Sequence, residues 1–177
     1  MKVKLLAIIL LVTLSLSGCS GYEISTKLVS DAIVLTPEKL ILVTDTVKEP
    51  KLYEVDYVKF DTSLKEIKKK YDLRPFLSHS KEIIISAEVT VKELYSLIEQ
   101  LKDNNEIPPD TRATLSEEEP LNMLKKGEVT TEEIYITIKN SNICDERICS
   151  YNSYLKGDKF TMLYESDGEI KVKQITI

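Results

Sequence analysis

The sequence predicts an α+β fold of mixed α/β character: a mixed sheet with two to three helices, followed by a C-terminal antiparallel β meander. Three observations carry this. Ile83, Ile84 and Ile85 form a continuous apolar run, the pattern of a strand buried on both faces. Thr90 and Glu93 make a capping box at the head of a helical stripe of Val91, Leu94, Leu97, Ile98 and Leu101. Asp167-Gly168 is a strong hairpin turn ahead of an alternating segment. A helix, a buried strand and a second helix, with strands before them, imply a layered α/β unit.

The chain begins with a segment that is not part of that unit. Lys2 and Lys4 form a short basic region, and residues 5–16 are apolar apart from Thr13 and Ser15. A positive start, an apolar middle and small residues before a cut are the parts of a secretory signal. The run is short of the roughly 20 apolar residues that a membrane-spanning helix needs. It ends in Leu16-Ser17-Gly18-Cys19, which resembles the bacterial lipobox, where the cysteine is lipidated and becomes the new N-terminus. An ordinary signal peptide with a chance cysteine is the alternative; the apolar run and a full four-residue match coincide here, which favours the lipobox. Two or more acyl chains give a stable anchor where one does not. The expected localisation is therefore the membrane, lipid-anchored on its extracytoplasmic face.

This sets the domain boundaries: residues 1–18 a lipoprotein signal peptide, 19–30 the lipidated N-terminus and tether, 31–127 an α/β domain, and 128–177 a β meander packed on or appended to it. Removing residues 1–18 leaves 159 of the 177 residues, enough for one domain with its own core. It also removes Lys2 and Lys4 and no acid, so the formal charge of -5 becomes -7. So acidic a module is a poor nucleic-acid binder, and broad attraction to anionic lipid would not hold it at a membrane; the lipid does that.

Within the domain, Ala32 to Leu35 and Lys39 to Val47 read as two strands of a hairpin around Pro37-Glu38, and Lys51 to Phe60 as a third strand. Ser63 and Glu66 fit a capping box, with Leu64, Ile67 and Tyr71 giving a short amphipathic helix over 63–71. Its other face carries Lys65, Lys68, Lys69 and Lys70; that is a solvated face or a local contact with acidic lipid or cell-wall polymer. Residues 73–76 break the helix, and 82–87 form the buried strand. Ala113 to Leu115 reads as a short strand. Ser116 to Lys126 reads as a helix with acids early, lysines late, Pro120 in its first turn and Gly127 as its stop. From Thr130 the alternation of Ile134, Ile136 and Ile138 reads as a strand, the first of the meander.

Chemistry-bearing motifs are scarce. The five glycines do not cluster into a phosphate loop, and no metalloprotease or serine-hydrolase signature is present. Cys144 and Cys149, spaced C-x4-C, are candidates for a disulfide in an oxidising compartment. The single histidine, His79, is far from them in sequence, which argues against a metal centre, and the spacing is not the C-x-x-C of a redox pair. His79 between Ser78 and Ser80 reads as a structural residue at a strand edge and a candidate partner contact. The expectation is a protein that is not an enzyme, with no catalytic residues, no metal and no cofactor.

The order of parts resembles the N-terminal domain of the Ger(x)C family, the lipoprotein C subunits of spore germinant receptors, in a short or truncated form. The lipobox stands at the expected end. Residues 31–35 are similar to the first strand of those proteins. Residues 64–71, then Phe76 to His79 and Lys81 to Ser86, resemble the family's helix, its short aromatic–leucine–histidine link and its buried strand. The helix from Val91 and residues 107–124 follow in matching order. Ser20-Gly21-Tyr22-Glu23 replaces the family's Trp-Asp-Arg-Arg-Glu, and Thr36-Pro37-Glu38 its glycine-rich turn. The resemblance implies a non-catalytic role in spore germination on the spore inner membrane, beside polytopic receptor subunits. The alternative is a generic cell-envelope lipoprotein binding a small ligand, in a pocket lined by some of the nine tyrosines, or a cell-wall component.

Overall fold

The computed structural model describes residues 26–45, 49–141, 143 and 159–176. The lipobox (Leu16, Ser17, Gly18, Cys19) and the Cys144/Cys149 pair lie outside them. The strands are β1 (Lys27–Val29), β2 (Ala32–Leu35), β3 (Lys39–Thr44), β4 (Lys51–Asp56), β5 (Arg74–Phe76), β6 (Glu82–Ser86), β7 (Arg112–Ser116), β8 (Lys159–Ser166) and β9 (Glu169–Thr176). The helices are α1 (Phe60–Tyr71), α2 (Val91–Lys102), α3 (Glu118–Lys126) and α4 (Thr131–Asn140).

A seven-stranded mixed sheet in the order β4-β3-β2-β6-β7-β8-β9 forms the centre. Its four inner strands, β2, β6, β7 and β8, run parallel, and an antiparallel partner begins at each end, β3 and β9. Because successive side chains point to opposite faces, β6 splits its isoleucines. Ile83 and Ile85 enter one core with Leu94, Leu97, Ile98 and Leu101 of α2 and with Phe60 and Ile67 of α1. Ile84 enters the other with Leu121 and Leu124 of α3 and with Ile134 and Ile138 of α4. Helices therefore cover both faces, and every residue of β6 and of β7 is buried.

Several sequence expectations hold. The β2–β3 hairpin forms, with Leu35 opposite Leu40. The Thr90–Glu93 capping box is complete at the start of α2. Gly127 ends α3 at φ +73, a left-handed conformation that suits a residue without a Cβ. Asp167 and Gly168 both have positive φ, as a type I′ hairpin turn requires, and join β8 to β9.

Others need correction. Residues 131–140 are not a strand but the helix α4. The alternation of Ile134, Ile136 and Ile138 misleads because only Ile134 and Ile138, four apart, are buried, while Ile136 is exposed. The T-x-x-E pattern recurs at Thr130–Glu133 and closes a second capping box. Among the described residues the meander is thus the β8–β9 hairpin, and through the pairing of β8 with β7 it continues the main sheet. Ser63 is not an N-cap. It lies inside α1, where its hydroxyl donates to the Asp56 carbonyl (3.2 Å) and accepts from the Val58 N–H (3.2 Å). One orphan donor of the first turn of α1 is satisfied from outside, by Gln100 of α2, whose Oε1 accepts from the Phe60 N–H (3.1 Å). Residues 27–29, read as tether, form β1 parallel to β5, with Leu28 buried. The helix-breaking segment 74–76 is β5 itself.

Asp45 adds a cap contributed from a distant part of the chain. Its carboxylate accepts from the Thr131 hydroxyl (2.6 Å) and from the Glu132 N–H (3.1 Å), tying the end of β3 to the start of α4. Asp45→Ala is expected to lower the unfolding free energy by about 1–2 kcal/mol, and Asp45→Asn by clearly less. Urea denaturation of both variants checks this; equal losses would show that the capping geometry contributes nothing.

Candidate functional site

The link that carries His79 opens a cavity at the amino ends of β6 and β7. Two segments shape it. Residues 77–81 enter β6, and residues 108–112 enter β7. Hydrogen bonds hold the two together. The buried Ser80 donates its hydroxyl to the Ser30 carbonyl (3.0 Å), and Thr111 donates its hydroxyl to the Ser80 carbonyl (3.1 Å). The Arg112 N–H donates to the Lys81 carbonyl (3.2 Å), and the Lys81 N–H to that of Asp31 (2.9 Å). With residues 111 and 112 bonded to Ser80 and Lys81, and those to Ser30 and Asp31 just before β2, the two segments form one connected floor.

The cavity measures about 480 Å³, within the size range of small-ligand sites. Its wall includes His79, Lys81, Asp110, Thr111, Arg112 and Tyr135. His79 is exposed at the rim, and its ring lies 5.6 Å from that of Phe76. Tyr135 is supplied by α4, which covers one face of the sheet. The Arg112 guanidinium stands 4.6 Å from the centre of its ring, with the Lys81 ammonium at 5.3 Å and that of Lys139 at 5.9 Å. Cations within about 6 Å of an aromatic face are attracted to it. Lys81 also donates to Glu132 (2.6 Å), and that hydrogen bond raises the pKa of its ammonium.

Beneath the cavity lies a buried acid–arginine pair. Arg112 Nη1 is 3.7 Å from Glu82 Oε1, and both side chains are almost fully buried. Neither Glu82 carboxylate oxygen has a hydrogen-bond partner among the described residues. Burial pushes the Glu82 carboxyl up to about 8; Arg112 and Thr114 beside it favour the charged form and offset this only in part. Near neutral pH the carboxyl is therefore largely protonated, and the net charge under the floor belongs to Arg112.

The arrangement suits binding of a polar group: a guanidinium and an ammonium around one aromatic face, with hydroxyls and an imidazole at the rim. No group of three or more His, Cys, Asp or Glu side chains placed to hold a metal ion occurs among the described residues. No helix among them is long and apolar enough to cross a membrane. Of the site residues that the sequence suggests, the structure places only His79, and it places it here. Sequence reasoning missed Lys81, Arg112 and Tyr135. The available signals were a charged residue at the head of each buried strand, Glu82 and Arg112, and the second T-x-x-E pattern, which puts Tyr135 on a helix. Comparison with protein-family models, with characterised proteins and with solved structures finds no match for this chain.

Proposed function

We propose that this chain is a membrane-anchored lipoprotein with a non-catalytic role in spore germination, acting as a component like the C subunit of a germinant receptor or as an accessory to it. The observation that carries the anchor is Leu16-Ser17-Gly18-Cys19 directly after an apolar run with a basic start. The germination role rests on the order of parts: α1, then the Phe76 to His79 link, then the fully buried β6, then α2. That order supports the resemblance to the Ger(x)C N-terminal domain. Cys19 holds the domain at the membrane, and polytopic receptor subunits are the partners, engaged through the exposed His79 link. A second reading, a cell-envelope lipoprotein that binds a small ligand or a wall component, is favoured by the cavity beside Tyr135 and Arg112.

The test is a pull-down of the C-terminally tagged protein from purified spore membranes, with Cys19→Ala as control. Recovery of polytopic receptor subunits, lost in the control, is the expected result. Protein found only in the membranes of growing cells would sink the germination role and leave the second reading.

A further inference from the structure

The central sheet ends in two edge strands, β4 and β9, and their edges differ. An edge strand presents backbone donors and acceptors that can pair with another chain. On β4 the edge is closed by side chains. The Tyr71 hydroxyl accepts from the Glu54 N–H (3.2 Å) and donates to the Glu54 carbonyl (3.1 Å), and the Lys70 ammonium donates to the same carbonyl (2.9 Å). The Ser63 hydroxyl donates to the Asp56 carbonyl (3.2 Å). All three of these side chains belong to α1.

The eight-residue β9 has no such cover among the described residues. The two-residue turn makes Ser166 and Glu169 the first hydrogen-bonded pair of the β8–β9 hairpin. Lys171, Lys173 and Ile175 therefore bond back to β8, while Ile170, Val172 and Gln174 turn their N–H and C=O groups to the free edge. Among the described residues no backbone or side-chain group bonds to these outward ones. The two lysines of the strand are held within their own chain and do not screen the edge. Lys171 donates to Asp167 (3.3 Å), and Lys173 donates to Glu117, its ammonium 4.7 Å from the centre of the Tyr164 ring.

We propose that β9 is a self-pairing edge: two copies of this chain join β9 to β9, antiparallel, about a twofold axis at Lys171, and their two sheets become one. The occupant is argued from the sequence of β9 itself. About Lys171, Glu169 of each copy stands opposite Lys173 of the other, and Ile170 opposite Val172. Ile170 and Val172 are the residues whose outward N–H and C=O groups then exchange hydrogen bonds, on both sides of the axis. Lys171 meets its own copy, the one like-charge contact, and each Lys171 is already bonded to Asp167. The other axes fit less well. An axis at Val172 sets Lys171 against Lys173 twice, one at Lys173 leaves no Glu–Lys pair, and one at Ile170 leaves only Glu169 to Lys171 of the strand paired. An axis between residues sets outward groups against inward ones and forms no ladder. The pairing uses each open edge once, so it closes as a dimer with the sealed β4 edges outermost.

Lys171→Cys in the purified full chain reads the axis. In this register the two substituted positions face each other as a non-hydrogen-bonded pair, about 4.5 Å apart between Cα atoms and within reach of a disulfide. Gln174→Cys is the control, since its two copies lie on opposite sides of the axis and out of reach. On mild oxidation at micromolar concentration, mass spectrometry is expected to find a 171–171 peptide pair in the first variant, distinct from any bond of Cys144 or Cys149. It is expected to find no 174–174 pair in the second, although Gln174 is the more exposed residue. Lys173→Glu sets two acids opposite each other and is expected to weaken dimerisation by roughly tenfold in sedimentation. Adding Glu169→Lys is expected to restore it, which a purely structural loss at Lys173 would not allow. Monomeric wild type at that concentration, equal cross-linking at 171 and 174, or a cross-link from 171 to a different polypeptide would each overturn the self-pairing.

Discussion

Glu82→Gln is expected to remove a large part of the pH dependence of stability between about pH 5 and pH 9. In the folded protein the Glu82 carboxyl holds its proton up to about 8, against 4.5 for the ordinary side chain, because burial disfavours the charge. Between those values the native state binds more proton than the unfolded chain, so stability falls as pH rises. The contribution of this group is whole below its ordinary value and is lost as pH passes through about 8. A shift of one pKa unit corresponds to about 1.4 kcal/mol, so the full effect is at most on the order of 5 kcal/mol. Glutamine mimics the neutral carboxyl in shape and keeps an oxygen for Arg112. Wild type and variant should therefore be nearly equal at pH 5, with the variant clearly the more stable at pH 9. Urea denaturation across that range decides it. Parallel curves would mean that Glu82 ionises as an ordinary carboxylate. The partner behaves differently: Arg112→Met strands the acid, and breaking a buried pair from one side costs on the order of 3–5 kcal/mol. Protonation of Glu82 relieves that cost, so it should be felt mainly above pH 8.

Ile84→Ala is expected to destabilise the protein by about 2–5 kcal/mol, and Ile84→Val by about 0.5–1.5 kcal/mol. Ile84 is fully buried at the centre of the sheet, beside Val34 and Thr114 in register, and belongs to the core that α3 and α4 cover. Little can collapse into the space it leaves, because both neighbouring strands are fixed. Ile136→Ala makes the contrast. Its side chain is 44% exposed on the outer face of α4, and a change within about 0.5 kcal/mol is expected. A loss at Ile136 as large as at Ile134 would mean that the two share one buried face, as in a strand, and would contradict the helix.

Which parts of the fold were legible in the sequence follows from what each signal depends on. Ile83, Ile84 and Ile85 revealed β6 because a strand covered on both faces has no polar side to display. α2 was legible because its cap and its stripe agree. α4 was not, because three isoleucines at alternate positions fit a strand as well as a helix, and its outward Ile136 is apolar without being buried. The Thr130–Glu133 box was the local signal that separates the two. β1 and β5 were illegible for another reason: three-residue strands paired across a separation of 47 residues carry no periodicity, and Pro75 argues against a strand except at an edge. The cavity is similar. Lys81, Arg112 and Tyr135 come from three separate segments, and only the sheet topology brings them together with His79.

The lipid on Cys19 underlies the proposed function, and the mass of the mature N-terminal peptide from membrane-extracted protein tests it most directly. A peptide that begins at Cys19 and carries a diacylglycerol group, with Met1 to Gly18 absent, is the expected result. A peptide that begins at Met1, or one that contains Cys19 without lipid, would contradict it.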